Sequence, residues 1–214
     1  SRIILWEQRS GICFATFTEH ESEVTAVKFT NQNTLISSSN DGTVRAYDCT
    51  KYRCFRTMRP DNKCQLSCLA VEPSGEVVCA GSLDPYEVYC WNLQTGNMLQ
   101  VLTGHKGPIS CIAFVGERFV TGSWDRTIRI HDFYAKRGNA DTLDQSSEIT
   151  AMAASPNAKH IAVCTFKGEI YIWDATSSEV VAIIDCKKDL QSGRKTQSSI
   201  SADNDQNSRI VRTL

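Results

Sequence analysis

Five short segments of this chain end alike. They read Ile3-Ile4-Leu5-Trp6-Glu7, Val44-Arg45-Ala46-Tyr47-Asp48, Val88-Tyr89-Cys90-Trp91-Asn92, Ile128-Arg129-Ile130-His131-Asp132 and Ile170-Tyr171-Ile172-Trp173-Asp174. The fourth residue of each stands at position 6, 47, 91, 131 and 173, at intervals of 41, 44, 40 and 42. A period near 42 residues with an aromatic-acid ending corresponds to one four-stranded β-propeller blade per repeat. The expected fold is therefore all-β, a partial propeller of about four and a half blades forming an open arc.

Each period divides into strand-like runs separated by turn residues. In the second blade Val24 to Phe29 alternates polar and apolar, as a half-buried strand does. Thr34 to Ser38 follows, then the hairpin turn Asn40-Asp41-Gly42, whose residues tolerate positive φ. Thr43 to Asp48 and Tyr52 to Met58 complete the sheet. The third blade is expected from about Leu66 to Leu102, the fourth from Ile109 to about Leu143 and the fifth from Ile149 to Ile184. Only the last two strands of a first blade appear, ending at Phe17. Because the chain opens on Ser1 and inside a strand, it reads as a piece of something longer. Residues 1–186 are assigned to the blades. The polar stretch 187–214, with six basic residues against three acidic ones, is assigned to a flexible inter-blade loop or tail.

Hydrophobic content of 41% and a net charge of -1 leave no global positive field, so nucleic-acid contact would have to be local. Of the ten cysteines, Cys68, Cys79, Cys90, Cys111 and Cys164 fall inside expected strands, where a thiol acts as a small apolar group. No CxxC pair, secretory signal or Asn-x-Ser/Thr acceptor occurs, which favours a reducing intracellular compartment. No run of 18 apolar residues is present, so no membrane span is expected.

His105, Thr121 and Asp125 resemble a catalytic triad, but their positions in the repeat argue for structure. His20 and His105 each precede a blade's first strand, 85 residues apart. In WD40 blades that histidine bonds the inner-hairpin aspartate, here Asp41 or Asp125, and a second-strand hydroxyl, Ser37 or Thr121. The third-strand aromatic position completes the network, held here by Tyr47, Trp91, His131 and Trp173. Buried polar groups of this kind must satisfy one another, since each one left unpaired costs about 1–3 kcal/mol. No blade carries the whole tetrad: blade three lacks the Gly-His pair and blade five has Lys167 in place of the aspartate. Neither a nucleotide-binding glycine loop nor a hydrolase or metalloprotease motif is found. We therefore expect no catalytic, cofactor-binding or metal-binding residue, and no small-molecule substrate. Contact with partners or RNA is expected from Trp124 and Arg126 on a blade rim, from Arg53 and Arg56 on an outer strand, and from the basic residues Lys187, Lys188, Arg194 and Lys195.

Beyond the generic repeat, several pieces resemble the periodic tryptophan protein 2 family. They are Tyr52-Arg53-Cys54-Phe55-Arg56-Thr57, Leu102 to Ser110, Ser123 to Thr127 and, most specific, Asp189-Leu190-Gln191-Ser192-Gly193-Arg194-Lys195. The resemblance implies a WD40 scaffold in the UTP-B module of the small-subunit processome, the nucleolar particle that contains U3 small nucleolar RNA and matures 18S ribosomal RNA. It further implies other WD40 subunits of the processome, U3 RNA and pre-ribosomal RNA as partners, a nuclear and nucleolar location, and no membrane. The alternative is a generic WD40 adaptor, such as a ubiquitin-ligase substrate receptor or a chromatin-associated scaffold; an enzyme is the reading least supported by the residues.

Overall fold

The computed structural model describes residues 1–30, 33–132 and 140–188. Among the described residues there are eighteen strands, and every pairing is antiparallel between sequence neighbours. Strands β1 (Ile3–Trp6) and β2 (Cys13–Phe17) form a two-stranded half-blade. Blade two is β3 (Val24–Phe29), β4 (Thr34–Ser39), β5 (Val44–Asp48) and β6 (Arg53–Met58). Blade three is β7 (Leu66–Val71), β8 (Val77–Ser82), β9 (Val88–Asn92) and β10 (Met98–Leu102). Blade four is β11 (Ile109–Val115), β12 (Arg118–Ser123), β13 (Thr127–Asp132) and β14 (Ala140–Asp144). Blade five is β15 (Ile149–Ala154), β16 (His160–Thr165), β17 (Glu169–Asp174) and β18 (Val180–Asp185). The first strand of each complete blade packs against the first strand of the next, so the sheets succeed one another around an axis as an open arc.

Packing follows from the period of two along each strand, which sends alternate side chains to opposite faces. In β8, Val78 and Ala80 join Ile36, Val44 and Met58 of blade two, whereas Val77 and Cys79 join Ile112 and Phe119 of blade four. Ile128 and Ile130 of β13 likewise meet Ile149, Ile161 and Val163 of blade five. Leu35 and Tyr47 cover the half-blade with Ile3, Leu5 and Phe17. Each inter-blade layer is thus a separate apolar core, and each inner sheet serves two of them.

The first strand of every complete blade bulges at the same place, between Val24 and Ala26, Leu66 and Cys68, Ile109 and Cys111, and Ile149 and Ala151. The extra residue is always a hydroxyl: Thr25, Ser67, Ser110 and Thr150. Three of these hydroxyls donate to a second-strand carbonyl: Ser67 to Gly81 at 3.1 Å, Ser110 to Gly122 at 3.2 Å and Thr150 to Cys164 at 3.2 Å. In blade two, Thr25 meets the Ser38 hydroxyl at 2.9 Å. A bulge leaves one residue out of the ladder, and the hydroxyl supplies a substitute bond. Two glycines then allow close approach of neighbouring blades. A methyl group on Gly81 would lie 2.7 Å from both Cys68 Sγ and Ile109 Cγ2, and one on Gly122 would lie 2.8 Å from Cys111 Sγ and 2.9 Å from Ile149 Cγ2.

Boundaries differ from the sequence reading by a residue or two. Tyr52 stays in the turn rather than opening β6, because its φ of 51° is incompatible with a strand. Among the described residues no helix is long and apolar enough to cross a membrane.

Candidate functional site

In blades two and four the histidine, hairpin aspartate and second-strand hydroxyl come together. His20 Nδ1 lies 2.8 Å from Asp41 Oδ2, and its Nε2 lies 2.7 Å from Ser37 Oγ. A carboxylate only accepts, so Nδ1 carries the proton and donates to Asp41, while Nε2 accepts from Ser37. Asp41 also receives the Thr43 hydroxyl at 2.6 Å and the amides of Glu21 and Thr43 at 3.1 and 2.8 Å. Blade four repeats the pattern: His105 meets Asp125 at 2.9 Å and Thr121 at 2.7 Å, and Thr127 and the Lys106 amide reach Asp125 at 2.6 and 2.8 Å.

The electrostatics keep both imidazoles neutral. Burial pushes His20 and His105 below their usual value of 6.5, against the upward pull of Asp41 and Asp125. For the two aspartates burial acts upward, but the hydrogen bonds from Thr43 and His20, and from Thr127, Lys106 and His105, outweigh it and hold each carboxyl at about 2. Thr121 and Asp125 satisfy both nitrogens of His105, so the imidazole has no free edge to offer a substrate.

The aromatic slot closes these networks unequally. His131 Nε2 lies 3.3 Å from the Thr121 hydroxyl and extends the chain of bonds; burial first, then His105 and Arg129, depress it to about 4. Tyr47 is fully buried and stacks on Phe17 at 4.4 Å between centroids. Its hydroxyl, pushed up to about 12 by burial, faces Ser37 without a hydrogen bond of good geometry.

Blades three and five are built differently. At the place of Thr43 and Thr127 they carry Glu87 and Glu169, and two residues on, Tyr89 and Tyr171 replace Arg45 and Arg129. Each tyrosine hydroxyl donates to its own glutamate, at 2.8 Å in blade three and 2.9 Å in blade five. Trp91 and Trp173 fill the aromatic slot. Val163 stands where Thr121 stands in blade four, and the buried Trp173 Nε1 has no partner. This Thr-x-Arg versus Glu-x-Tyr alternation is written in the sequence. It escapes a reading that looks only for the Gly-His and Trp-Asp ends of the repeat.

Cys68, Cys79, Cys90 and Cys111 are part of the core, whereas Cys13 is exposed. All ten are free thiols, and Cys79 and Cys90 face each other across β8 and β9 at 2.9 Å between sulfurs. Burial pushes Cys68 up to about 12, Cys111 up to about 11 and Cys79 well above its usual value, so these thiols remain protonated and inert.

Of the expected contact residues, Trp124 and Arg126 stand exposed on the β12–β13 turn, and Lys187 and Lys188 stand exposed just after β18. Arg53 is exposed on β6, but Arg56 turns across to blade three and donates to the Gln94 carbonyl at 2.5 Å. Arg194 and Lys195, with the rest of 189–214, lie outside the described residues. The sequence reading missed Phe166, the counterpart of Trp124 one blade on. A polar groove of about 1420 Å³ opens between blades two and three beside Asp41, Arg45, Arg59 and Lys63.

The WD domain, G-beta repeat family matches residues 11–48, 96–132 and 140–174, each covering an outer strand and the first three strands of the following blade. Blade three, without its histidine, lies almost wholly outside these matches. The chain is 38% identical over 208 residues, 95% of its length, to a periodic tryptophan protein 2 homolog of Dictyostelium discoideum, of which it covers 23%. It is 44% identical over 166 residues, 77% of its length, to periodic tryptophan protein 2 of Saccharomyces cerevisiae, of which it covers 18%. Over its whole length it is 38% identical to the Mus musculus homolog, covering 24% of that protein. The chain thus spans at most about a quarter of these curated relatives.

Proposed function

The chain belongs to the WD40 repeat family and matches periodic tryptophan protein 2 homologues within it, and from that premise we propose that it is part of a non-enzymatic scaffold in ribosome biogenesis. Its place is the UTP-B module of the small-subunit processome in the nucleolus. There it holds other WD40 subunits, U3 small nucleolar RNA and pre-ribosomal RNA in position while 18S ribosomal RNA is matured.

One observation carries the non-enzymatic reading. The histidines, aspartates and hydroxyls that resemble catalytic groups in blades two and four are engaged with one another inside the blades, as in the Asp125–His105–Thr121–His131 chain. The side chains left for a partner are exposed aromatic and basic groups on blade rims. Such a surface binds; among the described residues it presents no activated nucleophile and no base poised beside an open position. Affinity purification of the full-length protein tests the reading. Recovery of processome proteins together with U3 RNA is the expected result. Recovery of ubiquitin-ligase or chromatin components without them would overturn it.

A further inference from the structure

The two turns that carry Trp124 and Phe166 sit at the same place in successive blades, and a chain of contacts joins them. The Lys106 amide donates to Asp125 at 2.8 Å, which places Lys106 beside the Trp124 turn. Arg126 Nε reaches Glu148 at 3.5 Å, and the Glu148 carbonyl accepts the Phe166 amide at 2.8 Å. Beyond Phe166 comes Lys167, and the stem of Lys187 then lies over Gly168, where an added methyl group would be 3.5 Å from its Cε. The result is a continuous strip across one end of blades four and five.

Two features of the strip bear on what it could bind. Trp124 is 54% exposed and Phe166 79%, and no large apolar side chain among the described residues is more exposed than Phe166. Around them stand four cations, Lys106, Arg126, Lys167 and Lys187; of the neighbouring carboxylates, Glu148 meets Arg126, Asp125 is taken up by His105 and Thr127, and Asp185 accepts the Lys187 amide at 3.1 Å. Both rings are exposed, and their chain neighbours Ser123, Asp125, Thr165 and Lys167 are polar or charged. Flat aromatic faces interleaved with cations suit stacked bases on a phosphate backbone, because every base has a π-face and every phosphate a charge.

We propose that this strip binds a single-stranded RNA segment, with bases stacking on Trp124 and Phe166 and phosphates held by the surrounding cations. The proposal rests on the ribosome-biogenesis reading for the choice of RNA, and it places the contact away from the outer-strand patch around Arg53. The test uses the purified full-length protein and a fluorescent twelve-nucleotide oligouridine, with anisotropy read across a salt series. A W124A/F166A variant should bind at least about ten-fold more weakly. A K167E/K187E variant should weaken binding and reduce the salt slope by about two units. An R53E variant should bind like the unsubstituted protein, and melting should be unchanged in all three, since every substituted side chain is exposed. Unaltered RNA binding in both strip variants would overturn the proposal. So would a strip that takes up an oligoglutamate peptide and no RNA. If the strip variants still co-purify with processome components while binding RNA normally, the strip assignment fails and the scaffold reading stands. If the unsubstituted protein recovers no such components, the scaffold reading itself fails.

Discussion

Blades two and four differ from blades three and five at the same three positions of the third strand. The first pair carries Thr-x-Arg followed by Tyr47 or His131; the second carries Glu-x-Tyr followed by Trp91 or Trp173. In the first pair the hairpin is tied to the preceding loop by histidine and aspartate, across 20 or 21 residues of sequence. In the second, each tyrosine donates to the glutamate two residues before it, and Tyr171 also meets the Ser146 hydroxyl at 3.1 Å. Both solutions leave the inter-blade apolar layers intact. The polar network is therefore an extra clamp used in alternate blades, and the common stabilising element is packing between neighbours.

The largest contrast is expected from removing the clamp. His105→Ala leaves Asp125 and Thr121 buried without their partner and should cost about 2–3 kcal/mol. Tyr171→Phe removes two bonds that lie near solvent, to Glu169 and to Ser146, and should cost about 1 kcal/mol or less. Thermal melting of the full-length protein separates the two, and equal losses would break the distinction between blade types. Next in size, Gly122→Ala forces a methyl group against Cys111 and Ile149, and Gly81→Ala forces one against Cys68 and Ile109. Each should cost about 1–3 kcal/mol through overpacking. Because the close approach is common to both blade types, these losses should be similar.

Acid should act on alternate blades. Burial holds His20 and His105 below 6.5, and His131 at about 4. The unfolded chain therefore takes up these protons first. The histidine contribution is complete above about pH 6.5 and is lost as pH falls towards 4. Asp41 and Asp125, held at about 2 against an ordinary 3.8, contribute fully above 3.8 and lose that contribution between 3.8 and 2. Hydrogen exchange, corrected for intrinsic rates, should show protection falling in β3–β5 and β11–β13 before β7–β9 and β15–β17. A uniform loss would contradict the alternation. The smallest effect is expected from Val163→Thr, which restores to blade five the hydroxyl found at Thr121. A buried, unpaired hydroxyl would ordinarily cost about 1–3 kcal/mol. Here the Trp173 Nε1 is available to donate to it, so the change should be neutral or stabilising by up to about 1 kcal/mol. A clear loss of melting temperature would show that the two groups do not meet.

The repeat and its strand alternation were legible because each buried face must repeat with period two and each blade with period near 42. The histidine–aspartate pairs were legible for a related reason: the turn residues Asn40-Asp41-Gly42 and Trp124-Asp125-Arg126 mark the hairpin that the histidine must reach. Other features left weaker marks. The bulge hydroxyls Thr25, Ser67, Ser110 and Thr150 look like ordinary strand residues until their common position relative to the bulge is seen. Phe166 was hidden because Lys167 replaces the aspartate that identifies the turn. The role of Arg56 could not be read from its strand, since its partner, the Gln94 carbonyl, belongs to the next blade and has no sequence identity of its own.

Residues that hold the blades are distinct from residues that meet partners, and one paired measurement tests this most directly. His105→Ala and W124A/F166A are compared in the full-length protein, with melting temperature and recovery of processome components and RNA read on the same preparations. We predict that His105→Ala lowers the melting temperature by about 4–10 °C and, below that transition, recovers the same partners, whereas W124A/F166A melts normally and loses RNA. A histidine variant that melts normally but loses its partners would contradict the account.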